Sequence, residues 1–160
     1  MLESLRRFSA LEWPAQTLFL RSLLMLPLVG LSLKFRGFDA TRSTLRKSLS
    51  HNEPQAGSGS QDKQISLTAH MVNAADRHGP FHPSCLVKSL TLWWLLGRQG
   101  ITSRLRVGVR KEGGNLEAHA WVEREGTALN EPEERHHHYA AFDAALASLS
   151  EEERETGTRL

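Results

Sequence analysis

Cys85 is the only cysteine in the chain, and it stands where a nucleophile could be activated. Ser84 before it is a natural N-cap, and Pro83 bars the preceding chain from continuing as helix, so Cys85 opens a helix over Cys85–Arg98. Helix N-termini carry orphan N–H groups and a partial positive charge. Both favour a thiolate over a thiol, and the same N–H groups can hold the negative oxygen of an acyl-transfer intermediate. A thiolate needs a base, and the base needs an orienting partner. His119, between the small residues Ala118 and Ala120, can supply the imidazole. Past one hairpin turn, Asn130 or Glu131 can supply the amide or carboxylate that fixes its tautomer. Trp121 shares a strand face with His119 and is the candidate for contact with substrate.

Other reactive-looking residues read more plainly. His136-His137-His138 has no accompanying ligand pattern, and adjacent histidines on an extended chain point in alternating directions, so the run reads as a solvated loop and no metal site is expected. Lys88, one turn after Cys85, is placed to support a thiolate but reads as a surface lysine. The segment Lys34 to Lys47 holds Lys34, Arg36, Arg42, Arg46 and Lys47 against the single acid Asp39, and could dock an acidic peptide.

The elements that must position these groups follow from periodicity. Leu2, Leu5 and Phe8 fall at helical spacing, and a second helix carries Leu18, Leu20, Leu23 and Leu24, with Pro14 near its start and a kink or end near Pro27. Residues 1–47 form a Leu-rich helical region, 48–63 a breaker-rich flexible loop, and 64–160 the core of what is one compact domain overall. Ile65 to Arg77 predicts a helix, and Cys85 to Arg98 a stronger one with Leu86, Leu90, Trp93 and Trp94 at three- and four-residue steps. The period then changes to two. Ser103 to Lys111 and Glu117 to Arg124 predict strands, Glu125-Gly126 a hairpin turn, Thr127 to Asn130 a third strand, and Tyr139 to Leu149 a closing helix. Helices followed by an antiparallel sheet make an α+β domain.

Composition sets outer limits. The 160 residues are 39% hydrophobic and 24% charged, with 20 Lys and Arg against 18 Asp and Glu. That excludes a disordered chain, a collagen and a multi-span membrane protein, and is too balanced to point to nucleic acid. A lone cysteine excludes an intrachain disulfide. The apolar stretch Leu18 to Leu33 is interrupted by Arg21, Ser22, Pro27 and Ser32 and is followed by Lys34-Phe35-Arg36. It reads as a buried or partner-facing helix and not as a transmembrane span or signal peptide. A cytoplasmic location is expected.

The local text carries a resemblance. Cys85, Leu86, Lys88, Ser89 and Leu90; Gly100 and Ile101; Val107 to Arg110; and Ala118 to Glu123 resemble the stand-alone leader peptidase of lasso-peptide biosynthesis, a cysteine protease of transglutaminase-like, papain-related fold. The resemblance is specific over Pro83 to Glu131 and looser over the N-terminal helices. It implies a nucleophile at a helix N-terminus packed on a small antiparallel sheet, with N-terminal helices beside it. It implies hydrolysis of the bond between leader and core of a ribosomally made precursor peptide, without a cofactor. The implied partners are that precursor, a separate leader-binding protein and an ATP-dependent cyclase. Cys85 matches the family's nucleophile and His119 its base. Its third residue is usually aspartate, and Glu131 stands at that position, with Asn130 as the papain-like alternative. Two other readings share these residues: acyl transfer to an amine, and a non-catalytic scaffold for precursor or cyclase.

Overall fold

The leucine-rich N-terminal sequence forms one long helical element, α1 (Trp13–Lys47), with Pro14 in its first turn. The computed structural model describes residues 13–49, 58–112, 115–130 and 139–141; the helix expected over Leu2 to Phe8 lies outside them. Of the kink or end expected near Pro27, the end does not occur: α1 runs through the proline. Leu26 and Val29 flank it, both 2% exposed in the main core, and their burial offsets the one backbone hydrogen bond that proline removes. The break falls instead at Gly37, whose φ of 77° and ψ of 179° are open to glycine almost alone. The Thr41 hydroxyl donates to the Gly37 carbonyl (2.7 Å) and bonds the Ser32 hydroxyl (2.8 Å), tying the two halves across the kink. Gly37→Ala is expected to destabilise by about 1–3 kcal/mol through backbone strain alone, since a methyl there would touch nothing within 4 Å. A urea melt with unchanged m-value measures it.

One face of α1 buries Ala15, Leu18, Ser22, Leu26, Val29 and Thr41. The other leaves Leu20, Leu24, Leu28, Leu31 and Phe35 exposed at three- and four-residue spacing. By length and composition α1 is long and apolar enough to cross a membrane, although its buried face packs on the next two helices.

Helix α2 (Ser58–His78) starts inside the stretch expected to be loop to residue 63. Its glycine and serine residues fall in the first turn, where helices tolerate them. Helix α3 (Cys85–Arg98) has the predicted bounds: the Ser84 hydroxyl accepts from Val87 N–H, and Ile101 N–H donates to the Leu96 carbonyl to close the other end. It is buried nearly all round, through Val87, Leu90, Leu92, Leu95 and Leu96, because α1, α2 and the sheet all pack on it. The chain into Cys85 is seated on α1. The Phe81 ring lies so close to Gly30 that a methyl there would stand 2.8 Å from it.

The sheet has the order β3-β2-β1-β4. Strands β1 (Arg104–Glu112) and β2 (Asn115–Arg124) pair antiparallel from Arg104↔Glu123 to Glu112↔Asn115. Glu125 and Gly126, both with positive φ, turn the chain into β3 (Thr127–Ala128), shorter than the strand expected to Asn130. The helix expected over Tyr139 to Leu149 is corrected at its start: Ala140–Ala141 is β4, paired with Val109 and Gly108 of β1. The open edge of β1 supplies ladder hydrogen bonds that override the local helical preference of alanine. Helices on one side of an antiparallel sheet make the α+β fold expected from the sequence.

Candidate active site

Cys85 occupies the first position of α3, half-buried and with a free thiol. What fixes it is one turn further along. The Ser89 hydroxyl, wholly buried, donates to the Ala120 carbonyl of β2 (2.8 Å) and accepts from the Asn130 amide (3.2 Å). The Asn130 side-chain oxygen in turn accepts from Val122 N–H (2.8 Å). The register explains why these groups were available. His119, Trp121 and Glu123 direct their backbone groups to β1, so Ala120 and Val122 direct theirs to the opposite edge. There β3 pairs only with Glu123 and Arg124, and Leu129 N–H reaches the Val122 carbonyl. Ser89 and Asn130 complete the unfinished ladder with side chains, and in doing so fasten the start of α3 to the edge of β2.

His119 is adjacent in sequence to the fastened Ala120. Strand alternation sends Ala120 and Val122 into the helix-covered core and sets His119 with Glu117, Trp121 and Glu123 on the other face. The imidazole is half-buried and lies between two rings. Trp121 is nearly parallel to it at 6.3 Å and Tyr139 tilted at 5.1 Å. Gly108 of β1 pairs opposite His119, so no cross-strand side chain crowds the ring. Trp121 is 3% exposed, which makes it a wall behind the imidazole and corrects the expectation that it presents a face to substrate. Tyr139 has a second neighbour: the Arg110 guanidinium lies 4.9 Å over its ring. Arg110 also binds Glu117 through two nitrogens (2.6 and 2.7 Å). That hydrogen bond holds the Glu117 carboxyl below the usual carboxylate range, with the Arg110 charge, the Tyr139 hydrogen bond and the His119 charge acting in the same sense. A carboxyl so held adds its stabilisation above the ordinary carboxylate range and loses it as acid protonates the group.

The structure therefore brings Trp121 to His119 and brings the start of α3 to the neighbouring strand residue. It turns Asn130 toward Val122 and Ser89, and Glu131 lies outside the described residues, as do His136, His137 and His138. Lys88 is held by Asp76 of α2 at 3.0 Å, so its charge is directed away from a thiolate role. Sequence reading missed Ser89 as a functional residue and Tyr139 as a neighbour of His119. The motif text did contain Ser89, as a polar residue on an otherwise apolar helix.

A cysteine that opens a central helix, with that helix fastened to a histidine-bearing strand of a small antiparallel sheet, defines a papain-related α+β domain. The chain belongs to the transglutaminase-like superfamily, whose family model matches residues 25–142, from within α1 to the end of β4. That superfamily includes cysteine peptidases and acyltransferases. Comparison with curated proteins and with solved structures returned no match.

Proposed function

We propose that this protein is a cysteine peptidase that removes the leader from a ribosomally made lasso-peptide precursor. The observation that supports the catalytic part is the Ser89–Ala120 bond, which fastens α3, one turn after Cys85, to the strand residue next in sequence to His119. The substrate assignment is supported by the motif text at Cys85–Leu90, Val107–Arg110 and Ala118–Glu123. The proton of the Cys85 thiol passes to His119, and the thiolate adds to the scissile carbonyl carbon. N–H groups of the first turn of α3 stabilise the resulting oxyanion. The C–N bond then breaks as the imidazolium gives its proton to the leaving amine, which is the new amino terminus of the core peptide. Water, deprotonated by His119, attacks the thioester and releases the leader as its carboxylic acid with the thiol restored. Glu131 is the proposed orienting partner of His119.

In this reading the protein works beside a separate leader-binding protein and an ATP-dependent cyclase, in the cytoplasm. The exposed stripe Leu20, Leu24, Leu28, Leu31 and Phe35 supports the expectation of a protein partner. The test is incubation of the purified protein with a precursor peptide and its leader-binding protein, followed by intact mass. Two fragments whose masses sum to the precursor plus one water are expected. Transfer of the acyl group to an added amine with no hydrolysis product would move the assignment to an acyltransferase, and an unchanged precursor would leave a scaffold.

A further inference from the structure

Tyr139 reaches the candidate base from the far side of the sheet. It immediately precedes β4, whose Ala140 and Ala141 pair with Val109 and Gly108, so the register carries it to the level of Arg110. Arg110 pairs in turn with Glu117 of β2, which puts Glu117, Arg110 and Tyr139 in one row across the sheet. The row closes on itself. Arg110 binds the Glu117 carboxylate (2.6 and 2.7 Å), its guanidinium lies 4.9 Å over the Tyr139 ring, and the Tyr139 hydroxyl donates to Glu117. Each member is held by the other two. In the next row Gly108 is the β1 partner of both His119 and Ala141. Strands β2 and β4 flank β1, so their residues stand about 10 Å apart in the hydrogen-bonding direction. The tyrosine and histidine rings nevertheless close to 5.1 Å, across a glycine that offers no side chain to separate them. Anchoring the two-residue β4 accounts for the contacts of Tyr139 with Arg110 and Glu117. It does not account for the reach of the ring to His119.

We infer that Tyr139 is a positioning residue for His119, its ring fixing the plane of the imidazole against Trp121. The role rests on the peptidase reading, in which His119 is the base. The need for it arises in the histidine itself. The torsion that joins the imidazole to its Cβ is broad and two-fold, so the side chain alone leaves the direction of its nitrogens loosely set. Trp121 is 3% exposed and nearly parallel to the imidazole at 6.3 Å, a fixed wall on one side. The Tyr139 ring, tilted by 35°, closes the other. Rotation out of that slot drives an edge of the imidazole into one ring or the other. Tyr139 serves as a wall only if it is itself fixed, and the row supplies this with a cation over its face and a carboxylate at its hydroxyl. Arg110 and Glu117 thus act on the base through Tyr139. A general base works only with its nitrogen in hydrogen-bond reach of the proton it takes, so a loosened imidazole lowers kcat and leaves substrate binding alone.

Precursor cleavage in the presence of the leader-binding protein gives kcat and KM, and a thermal melt gives Tm. Tyr139→Ala should lower kcat at least about tenfold with KM within about twofold. Tyr139→Phe keeps the ring under Arg110 and loses only the hydroxyl, so its kcat should stay within about threefold of the parent. Tyr139→Leu fills the space without a flat face. It should recover most of the Tm lost in Tyr139→Ala while its kcat stays near that of Tyr139→Ala, whereas a purely structural role would move Tm and kcat together. Arg110→Gln should lower kcat in the parent and add less than about twofold in the Tyr139→Ala protein, because it acts through the ring. Parental kcat in Tyr139→Ala, a kcat in Tyr139→Leu as high as in Tyr139→Phe, or a full second loss from Arg110→Gln overturns the inference and leaves the peptidase. Alkylation of Cys85 by iodoacetamide at about pH 6, followed by intact mass, needs no substrate. Its rate should fall in Tyr139→Ala toward that of His119→Ala and hold in Tyr139→Phe. An uncut precursor with alkylation in that order removes the peptidase reading and keeps the hold of Tyr139 on His119. An equal alkylation rate in the parent and all three variants overturns the inference.

Discussion

Cys85→Ala will abolish leader cleavage and leave the folded protein nearly as stable as before. The expected loss in kcat/KM is at least about 10⁴-fold, the scale seen when a covalent nucleophile is removed while binding and oxyanion contacts remain. Cys85 is the only cysteine, so no neighbouring thiol can substitute for it. The stability argument is separate. The thiol is half-buried, has no hydrogen bond among the described residues, and sits in a helix where alanine is the better former. A change within about 1 kcal/mol, or about 2–4 °C in Tm, is therefore expected. His119→Ala should lose comparable activity but more stability, because its ring packs between Trp121 and Tyr139. The pair is read by precursor mass and thermal melting together. Cleavage retained by Cys85→Ala would end the cysteine mechanism, whatever its Tm.

The parts of this fold that could be read from sequence are those written in local punctuation. Pro83 and Ser84 before Cys85, and Gly100 after Arg98, bracket α3, and its observed bounds are those of the sequence reading. Alternation through Leu105, Val107 and Val109 marks β1 within a residue of its ends. The parts that were not legible depend on partners far along the chain. Two alanines in a helix-like stretch became β4 because β1 had an unpaired edge, which no window around Tyr139 contains. Pro27 reads as a helix kink or end locally, but burial of Leu26 and Val29 carries α1 past it. The candidate site divides the same way. Cysteine after an N-cap and histidine between alanines are local signals. The use of Ser89 is not, because its acceptor is a carbonyl of β2 and its donor the amide of Asn130.

Those two polar residues support the second large effect. Ser89→Ala will lower both stability and activity, and Asn130→Ala will reproduce most of the change. Removing the Ser89 hydroxyl leaves the buried Ala120 carbonyl without its donor and takes away the acceptor of the Asn130 amide, a cost of about 1–3 kcal/mol. Removing Asn130 leaves Val122 N–H without the side-chain oxygen that now completes the ladder, a cost of similar size. Because the two act through one shared bond, the double variant should fall short of the sum by at least about 0.5 kcal/mol. The activity loss comes from geometry. These bonds set where the first turn of α3 lies against β2, and a displacement of about 1 Å between nucleophile and base can lower the rate by about 10²-fold. Asn130→Asp separates this positioning role from direct action on His119. An aspartate keeps an acceptor for Val122 N–H but offers no N–H to Ser89, so the edge role predicts a partial loss of both Tm and kcat, tracking Ser89→Ala. If Asn130 oriented the imidazole, aspartate would preserve kcat even as Tm fell, and Ser89→Ala would leave the pH profile of cleavage untouched. A common fall in Tm and kcat across Ser89→Ala, Asn130→Ala and Asn130→Asp, with KM little changed, assigns the pair to holding the catalytic helix in place.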